Sequence, residues 1–315
     1  MRIHRIHVKI SKKFFKLKFL TPFNESNNQI QGALYDSEGY LETSSLRKVT
    51  IQGKYRPIDK ASLTADEMSN AQVLEGNFIF LGHCHRHYGH FLLETLPMIS
   101  GLIEKKDRRG VFLPFGFADN FSRQLLDDFL KIIKIDPGSI LFHLDKSRII
   151  KLRARCKKRP LLINKFDGLL EADSFKLILN EIKTCMRLNT RKMPCEKVFL
   201  DRDESRINQS IRGAAATYFA ENGFKVVRPE SLNVKEQIRL IHSAKVVVGY
   251  VGSQMHNSLF CQPSARVVCL GDSLYPRKQL PNQVLCNQIS GVFSNHVDYT
   301  DDADQLISHL SNILK

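Results

Sequence analysis

Four short apolar runs decide the fold of the C-terminal half: KVFL (Lys197–Leu200), FKVV (224–227), KVVVG (245–249) and RVVCL (266–270). Each run has the length of a buried strand. Stretches with helical patterns separate them, at residues 210–222, at about 234–243 and in the segment that ends at residue 260. A strand is therefore followed by a helix three times before the fourth strand closes the pattern.

Local signals mark the ends of these helices. Gly223 follows the first helix, and glycine commonly ends a helix in the left-handed conformation. Asn233 and Glu236 have the spacing of a capping box at the start of the second. Because the strands are apolar and the connections short, we expect a parallel sheet with helices on both faces. The pattern predicts an α/β class with a doubly wound, Rossmann-like domain.

The N-terminal half has a less regular pattern. Strands are predicted at residues 77–81, 111–113 and 140–142, and helices at 88–104 and 121–133. Pro97 lies inside the first of these helices and is expected to kink or break it. We therefore expect two α/β lobes, the first spanning residues 1–160 and the second 161–285. An amphipathic helix at 302–315 is expected to rejoin the first lobe.

The composition is basic and is typical of a soluble globular protein. The 315 residues contain 47 Lys and Arg against 32 Asp and Glu, a formal charge of +15, which favours anionic partners. The seven cysteines are scattered and include no C-x-x-C pair, so neither a disulfide framework nor a zinc knot is expected. This use of cysteine favours a cytoplasmic location. No apolar run approaches the roughly 20 residues that a membrane-spanning helix requires.

Two segments concentrate positive charge. The first 20 residues contain no acid, and lysines interrupt every apolar stretch, so a secretory signal is not expected. Residues 11–20 mix lysines with aromatic and aliphatic side chains and could lie on an anionic membrane surface. The alternation of Ile6, Val8 and Ile10 slightly favours an edge strand instead. The run KLRARCKKR (151–159) is either a contact for an acidic ligand or a solvated surface strand.

The turn after residues 245–249 could hold a phosphate group. Ligands of open parallel sheets bind at the carboxyl ends of the strands. Gly249 and Gly252 allow a ligand to approach the backbone, Ser253 offers a hydroxyl, and the following N–H groups could bind a diphosphate without a metal. Glycines in such turns also serve geometry alone, so both interpretations stay open.

Two arginines follow the first strand of this half. Arg202 and Arg206 could bind phosphate oxygens, or they could pair with the neighbouring acids Asp201, Asp203 and Glu204. Glu230, at the end of the next strand, could accept hydrogen bonds from a ribose or be solvated.

Four histidines lie between residues 82 and 94, and three interpretations compete. A metal site is conceivable, because His83, His85 and His87 would share one face of a strand, but no compact ligand set is completed nearby. His90 could be a buried structural residue. Alternatively, His90 and Glu94 are four residues apart and could act together in general-base catalysis.

Several motifs, in serial order, resemble family 61 glycosyltransferases. Residues 88–97 (YGHFLLETLP) are similar to the N-Y-x-H-W/F-L-x-D/E-x-L-P element of that family. Four further elements also match, and they comprise Arg202 with Arg206 to Asn208, GFKVVRPE (223–230), EQI (236–238) with 244–249, and Gly252 with Asn257, Leu259 and Phe260. The turn departs from the family pattern at Val251, Gln254 and His256, and Gln209 replaces the acid that follows the asparagine.

The resemblance implies a GT-B architecture whose C-terminal lobe binds a nucleotide sugar, expected to be UDP-linked. It implies an inverting transfer with neither a metal nor another cofactor, to a glycan or glycolipid acceptor in bacterial capsule or lipopolysaccharide synthesis. We expect Glu94 to be the base, with His90 as a supporting group or substitute base, and Arg86, His87 and Tyr88 to bind the acceptor. The residues expected to bind the donor are Arg202, Arg206, Asn208, Glu230, Gln237, Gly249, Gly252, Ser253, Gln254, His256 and Asn257.

The expected location is the cytoplasm, with peripheral attachment to the inner face of the bacterial inner membrane through residues 1–20. Two other functions are considered. The charge of +15 would suit a nucleic-acid-binding protein, although the chain lacks a recognisable nucleic-acid motif, so no nucleic-acid partner is expected. The chain could also be a catalytically silent relative that acts as an assembly subunit.

Overall fold

The computed structural model describes residues 16–22, 24–26, 29–42, 45, 60–103, 109–115, 120–144, 147–156, 172–188, 196–202, 209–272, 280–299 and 302–314. The chain divides into two compact units. The first unit comprises Met1–Gly82, Asp107–Pro114 and Ser139–Lys158, and the second comprises His83–Lys106, Phe115–Gly138 and Arg159–Lys315.

The first unit is built on a mixed sheet. The strands of this part of the chain are β1 (Lys16–Leu20), β2 (Asn24–Ser26), β3 (Gln29–Gln31), β4 (Leu34–Tyr35), β5 (Gln72–His85), β6 (Arg109–Phe115), β7 (Ile140–Phe142) and β8 (Ile150–Cys156), with one short helix, α1 (Ala65–Ser69). Six of the strands form a sheet in the order β4-β1-β8-β5-β6-β7. β1 is antiparallel to β4 and β8, whereas β5 is parallel to β8 and β6 is parallel to β7. The three strands predicted in this half lie within β5, β6 and β7.

The second unit carries the predicted parallel sheet. Its strands are β9 (Lys197–Leu200), β10 (Lys225–Val227), β11 (Val246–Tyr250), β12 (Arg266–Asp272) and β13 (Phe293–Tyr299). Every pair in the sheet is parallel, and the order is β10-β9-β11-β12-β13. The direction in which the chain adds strands reverses between β9 and β11, which is where doubly wound sheets open a crevice for ligands. The predicted α/β class, with a parallel sheet in the C-terminal half, is confirmed.

The helices of the second unit come from both halves of the chain. They are α2 (Tyr88–His90), α3 (Leu96–Ile103), α4 (Asn120–Ile132), α5 (Ala172–Met186), α6 (Gln209–Glu221), α7 (Val234–Ser243), α8 (Leu280–Ser290) and α9 (Ala303–Leu314), with a π-helical turn at Phe91–Thr95 and a 3-10 helix at Ser253–Phe260. α3 packs on α5, and α4 packs on α5 and α7. The residues after β5 therefore join the C-terminal unit, and the units do not divide at the predicted boundary of residue 160.

The last helix also packs differently from the prediction. Leu306 and Leu310 of α9 are fully buried in the aromatic core of the second unit, where the rings of Phe199 and Phe219 stack with centroids 4.2 Å apart. α9 packs against α6 and β13 of this unit. The prediction that this helix returns to the first lobe is therefore wrong.

Short-range signals match the structure closely. Asn233 accepts from the backbone N–H of Glu236, and the Glu236 carboxylate accepts from the N–H of Asn233, so the predicted capping box forms. Gly223 has a φ of +77°, as expected of a helix-ending glycine. At Pro97 the helical segment is not broken. The π-helical turn precedes it, and the N–H of Leu96 donates to the carbonyl of Phe91, five residues back.

In the described part of the chain, no helix is both long enough and apolar enough to span a membrane.

Candidate active site

Arg202 and Gly252 meet at the crevice of the parallel sheet. Arg202 follows β9, and its Nη1 donates to the carbonyl of Val251 over 2.8 Å. Gly252 has a φ of +149°, and a Cβ at this position would stand 2.7 Å from Arg202 Nη1. A side chain at residue 252 would be strained by the backbone conformation and would displace the guanidinium group from this position. The structure thus brings together two predicted donor contacts, and the N terminus of the 3-10 helix begins beside them at Ser253.

Gly249 is a packing glycine. A Cβ there would lie 2.6 Å from Met255 Sδ and 3.0 Å from Leu200 Cβ. The absence of a side chain at Gly249 lets the turn lie closely against β9. Its part in donor binding stays a prediction.

A buried ion pair supports the same edge of the sheet and was not predicted. Asp201 accepts two hydrogen bonds from Arg212, at 2.9 and 2.8 Å, and lies 3.4 Å from Arg228 Nε. Burial alone would raise the pKa of Asp201, but the hydrogen bonds from Arg212 and its neighbours outweigh this effect and lower it. Arg212 lies eleven residues away along α6, a spacing that no local motif indicates.

Glu94 is flanked by two histidines. His90 Nδ1 lies 2.7 Å from Glu94 Oε1, and His85 Nε2 lies 3.1 Å from Oε2. The three side chains, which we call the His85–Glu94–His90 cluster, differ in exposure: His85 is 1% exposed, Glu94 14% and His90 46%. The predicted pairing of His90 with Glu94 is present, and His85 was considered only as a metal ligand. The cluster could also hold a cation, because one potential ligand atom from each residue lies within 4.8 Å of the others.

Tyr88 connects this cluster to the crevice. Its hydroxyl donates to Asn257 Oδ1 over 2.6 Å and lies 3.3 Å from Gln237 Oε1. Asn257 Nδ2 in turn donates to Gln237 Oε1, while Gln237 Nε2 donates to the carbonyls of Pro229 and Leu232. Burial raises the pKa of the Tyr88 hydroxyl well above its usual value, so the group stays protonated. Tyr88, Gln237 and Asn257, all predicted to bind substrates, therefore form one hydrogen-bonded network.

Aromatic packing fixes the same segment. Phe91 stacks on Phe129 of α4, with ring centroids 5.6 Å apart, and Phe129 stacks on Phe260 of the 3-10 helix at 6.2 Å. All three rings are buried. The π-helical turn that carries Glu94 is thus packed within the second unit rather than held by one hydrogen bond.

The family of the chain follows from a comparison with known families. A model of the family described as Glycosyltransferase 61 matches residues 88–268, which is more than half of the chain. The chain belongs to glycosyltransferase family 61. It is a glycosyltransferase, and the family implies a nucleotide-sugar donor and a glycan acceptor. The match runs from Tyr88 to β12 and so includes both Glu94 and the crevice. A search of curated proteins finds no significant match.

In this family 61 enzyme, two predicted donor residues are buried in the turn. Gln254 Nε2 donates to the carbonyls of Leu200 and Tyr250, and thus holds the turn against the sheet. His256 is also buried and lies against Gly89. Burial, followed by the nearby His90, lowers the pKa of His256 to about 4, so that its ring is neutral at pH 7.

The remaining predicted site residues lie at the surface or outside the described residues. Arg86, His87 and Glu230 are exposed, and the ring of His87 lies edge-on to that of His90, with centroids 6.4 Å apart. Arg206 and Asn208 fall outside the described residues, as does the segment before residue 16. Their predicted roles stay predictions.

The contact between Gly89 and His256 predicts an effect of adding one methyl group. In Gly89→Ala, the new Cβ would stand 2.6 Å from His256 Nδ1 and 2.8 Å from Cε1. Because the buried ring has little room to move, we expect a loss of roughly 1–3 kcal/mol in unfolding free energy and a lower transfer rate. Urea unfolding and a transfer assay measure the two effects.

The matched control is Gly213→Ala. Gly213 is exposed in α6, and a Cβ there would meet nothing within 4 Å. This substitution should leave activity unchanged and raise stability by up to about 1 kcal/mol. Equal behaviour of the two variants would contradict the contact.

The pKa of His256 predicts a pH-dependent stability. Because its pKa in the folded protein is about 4, against 6.5 when unperturbed, the unfolded chain binds a proton between these values that the folded protein does not. Its contribution is fully present above pH 6.5 and is lost as the pH falls towards 4. The loss attributable to this residue is roughly 3 kcal/mol.

Urea unfolding between pH 7 and 4, compared for the wild type and His256→Gln, measures this contribution. Burial also lowers the pKa of His242, so only the difference between the two proteins counts. An equally steep decline in both would show that His256 does not contribute.

Proposed function

We propose that this family 61 enzyme is an inverting, metal-independent glycosyltransferase that moves a sugar from a UDP-linked donor to a glycan or glycolipid. The observation that carries the proposal is the hydrogen bond from Tyr88 to Asn257, which joins the segment that carries His90 and Glu94 to the 3-10 helix that begins after Gly252. A base and an anion-binding turn thus belong to one compact unit. We also propose that the two units are the lobes of a GT-B fold, with the donor in the second.

His90 is the proposed general base. Its Nδ1 is engaged by Glu94, so Nε2 is the nitrogen that takes the proton from the acceptor hydroxyl. Glu94 is less suited, because each of its oxygens lies beside an imidazole nitrogen and its side chain is only 14% exposed. Its role is to fix the tautomer of His90 and to stabilise the imidazolium that forms. His85 lies on the buried side of Glu94 and positions the carboxylate.

The transfer is one displacement. The acceptor oxygen forms a bond to the anomeric carbon while the bond from that carbon to the diphosphate oxygen breaks, on the opposite face, and this inverts the configuration. The proton of the acceptor passes to His90, and the electron pair leaves with the nucleoside diphosphate. Arg202 and the N–H groups at the start of the 3-10 helix stabilise the developing charge without a metal. Arg86 and His87, exposed beside His90, contact the acceptor.

The acceptor and the cellular role form a further part of the proposal. The formal charge of +15 favours an acidic glycan. We propose that the product is a bacterial capsule or lipopolysaccharide and that the enzyme acts at the inner face of the inner membrane.

A second candidate mechanism is metal-assisted transfer, because the His85–Glu94–His90 cluster has a ligand set that suits a divalent ion. Dialysis against a chelator distinguishes the two mechanisms, because it should leave the proposed reaction unchanged. NMR of the product should separately show the inverted anomer. Activity that is lost with the chelator and restored by a metal would support the second mechanism.

Substitution of His90 tests the base. We expect His90→Gln to lower kcat by roughly 10²–10⁴-fold, with donor affinity retained, because the proton acceptor is lost and the crevice is intact. Glu94→Gln should lower kcat less. His309→Gln, on the exposed surface of α9, is the control and should be fully active. Near-normal turnover of His90→Gln with an inactive Glu94→Gln would make Glu94 the base.

Substitution of Arg202 tests the donor site. Loss of a charged hydrogen bond is worth about 1.5–3 kcal/mol, so Arg202→Ala should raise the Kd of UDP roughly 10–100-fold. Arg202→Lys should recover only part of this, because an ammonium group cannot reproduce the fork of a guanidinium group. Calorimetry measures both, with Lys225→Ala at an exposed position of β10 as the control. An unchanged Kd in Arg202→Ala would remove this residue from the donor site.

A further inference from the structure

One face of β8 presents a row of cations. Ile150, Leu152 and Ala154 are buried on one side of the strand, and the alternate residues Lys151, Arg153 and Arg155 point to the other. Arg153 is exposed, whereas Lys151 and Arg155 are half-buried.

The neighbouring strands complete this face with apolar and amide side chains. On β1, Leu17 lies opposite Arg153. On β5, Val73 lies opposite Lys151 and Asn77 opposite Arg153. Val73 is 61% exposed and Leu17 39%. We call this surface of the first unit the Arg153 face, and its members are Leu17, Val73, Asn77, Lys151, Arg153 and Arg155.

The composition of the Arg153 face differs from that of an ordinary solvated strand, where charges of both signs are interspersed. The residues that oppose Lys151 and Arg153 on β1 and β5 are Leu17, Phe19, Val73 and Asn77, and none of them is acidic. Phe19 is buried, with Lys151 Nζ 5.8 Å from its ring centroid, so the exposed part of the face is formed by Arg153, Leu17, Val73 and Asn77. Cations among exposed aliphatic side chains suit a partner that is anionic and has an apolar layer close beneath its charges.

We propose that the Arg153 face docks on an anionic phospholipid bilayer. Its cations would contact lipid phosphates, while Leu17 and Val73 would reach the boundary between the headgroups and the acyl chains. A glycan is a poorer fit, because exposed aliphatic side chains offer its hydroxyl groups no hydrogen bonds. Docking does not depend on the proposed transfer reaction.

The test is sedimentation of the full-length protein with vesicles. Neutral vesicles of phosphatidylcholine are compared with vesicles in which a third of the lipid is phosphatidylglycerol, at low and at high salt. We expect binding to the anionic vesicles alone, weakened by salt. The double substitution Lys151→Gln/Arg153→Gln should weaken partitioning by roughly thirtyfold, since each cation near an anionic surface contributes about a fivefold change.

The matched control is Lys225→Gln/Lys235→Gln. Both lysines are exposed in the second unit, so the change in charge is the same at a different place. This variant should sediment with the vesicles nearly as well as the wild type. Val73→Ser, which keeps every charge, should weaken binding by a smaller factor. UDP affinity in all variants shows that the fold is intact, and it separates failure of docking from failure of the donor site.

Three outcomes would overturn the proposal. Equal partitioning of the two double variants would show that only net charge matters. Equal binding to neutral and anionic vesicles would remove the role of the cations. Absence of vesicle binding, with an anionic polysaccharide or a nucleic acid bound in a manner that requires Lys151 and Arg153, would reassign the face to that polymer.

Discussion

The geometry of the site depends on one half-buried hydrogen-bonded connection, from the Tyr88 hydroxyl to Asn257 and on to Gln237. Tyr88 begins the segment that carries His90 and Glu94, and Asn257 lies in the 3-10 helix that starts at the crevice. Leaving the buried amide of Asn257 unpaired would cost about 1–3 kcal/mol. The two halves of the proposed chemistry are therefore held in a single arrangement, although they are far apart in the sequence.

Packing makes the same connection without polar groups. Phe91, Phe129 and Phe260 form a continuous stack through the π-helical turn, α4 and the 3-10 helix. The turn adds one residue to a helical cycle and so changes the direction of the side chains that follow. With Pro97 just after it, the turn keeps the helical segment continuous while Glu94 lies between His85 and His90.

The charged residues at the end of β9 have two kinds of partner. Asp201 is buried in an ion pair with Arg212 and also pairs with Arg228, and these contacts stabilise the end of β9. Arg202 extends across the turn to Val251 instead, at the reversal point of the sheet. The two neighbouring residues at the end of β9 therefore have different partners, Asp201 in the buried ion pair and Arg202 at the turn.

Local patterns in the sequence by themselves determined four of the five strands of the parallel sheet, all but β13, together with the capping box at Asn233 and the presence of a helical segment at Tyr88, because these depend on residues close together in the chain. They also paired His90 with Glu94 at helical spacing. Only the tertiary structure decided that His85 joins this pair, that Tyr88 bonds to Asn257 169 residues later, and that α9 completes the second unit. The physical reason is that side-chain contacts between distant elements follow from which faces pack together, and periodicity shows that a face is apolar without showing what it packs against.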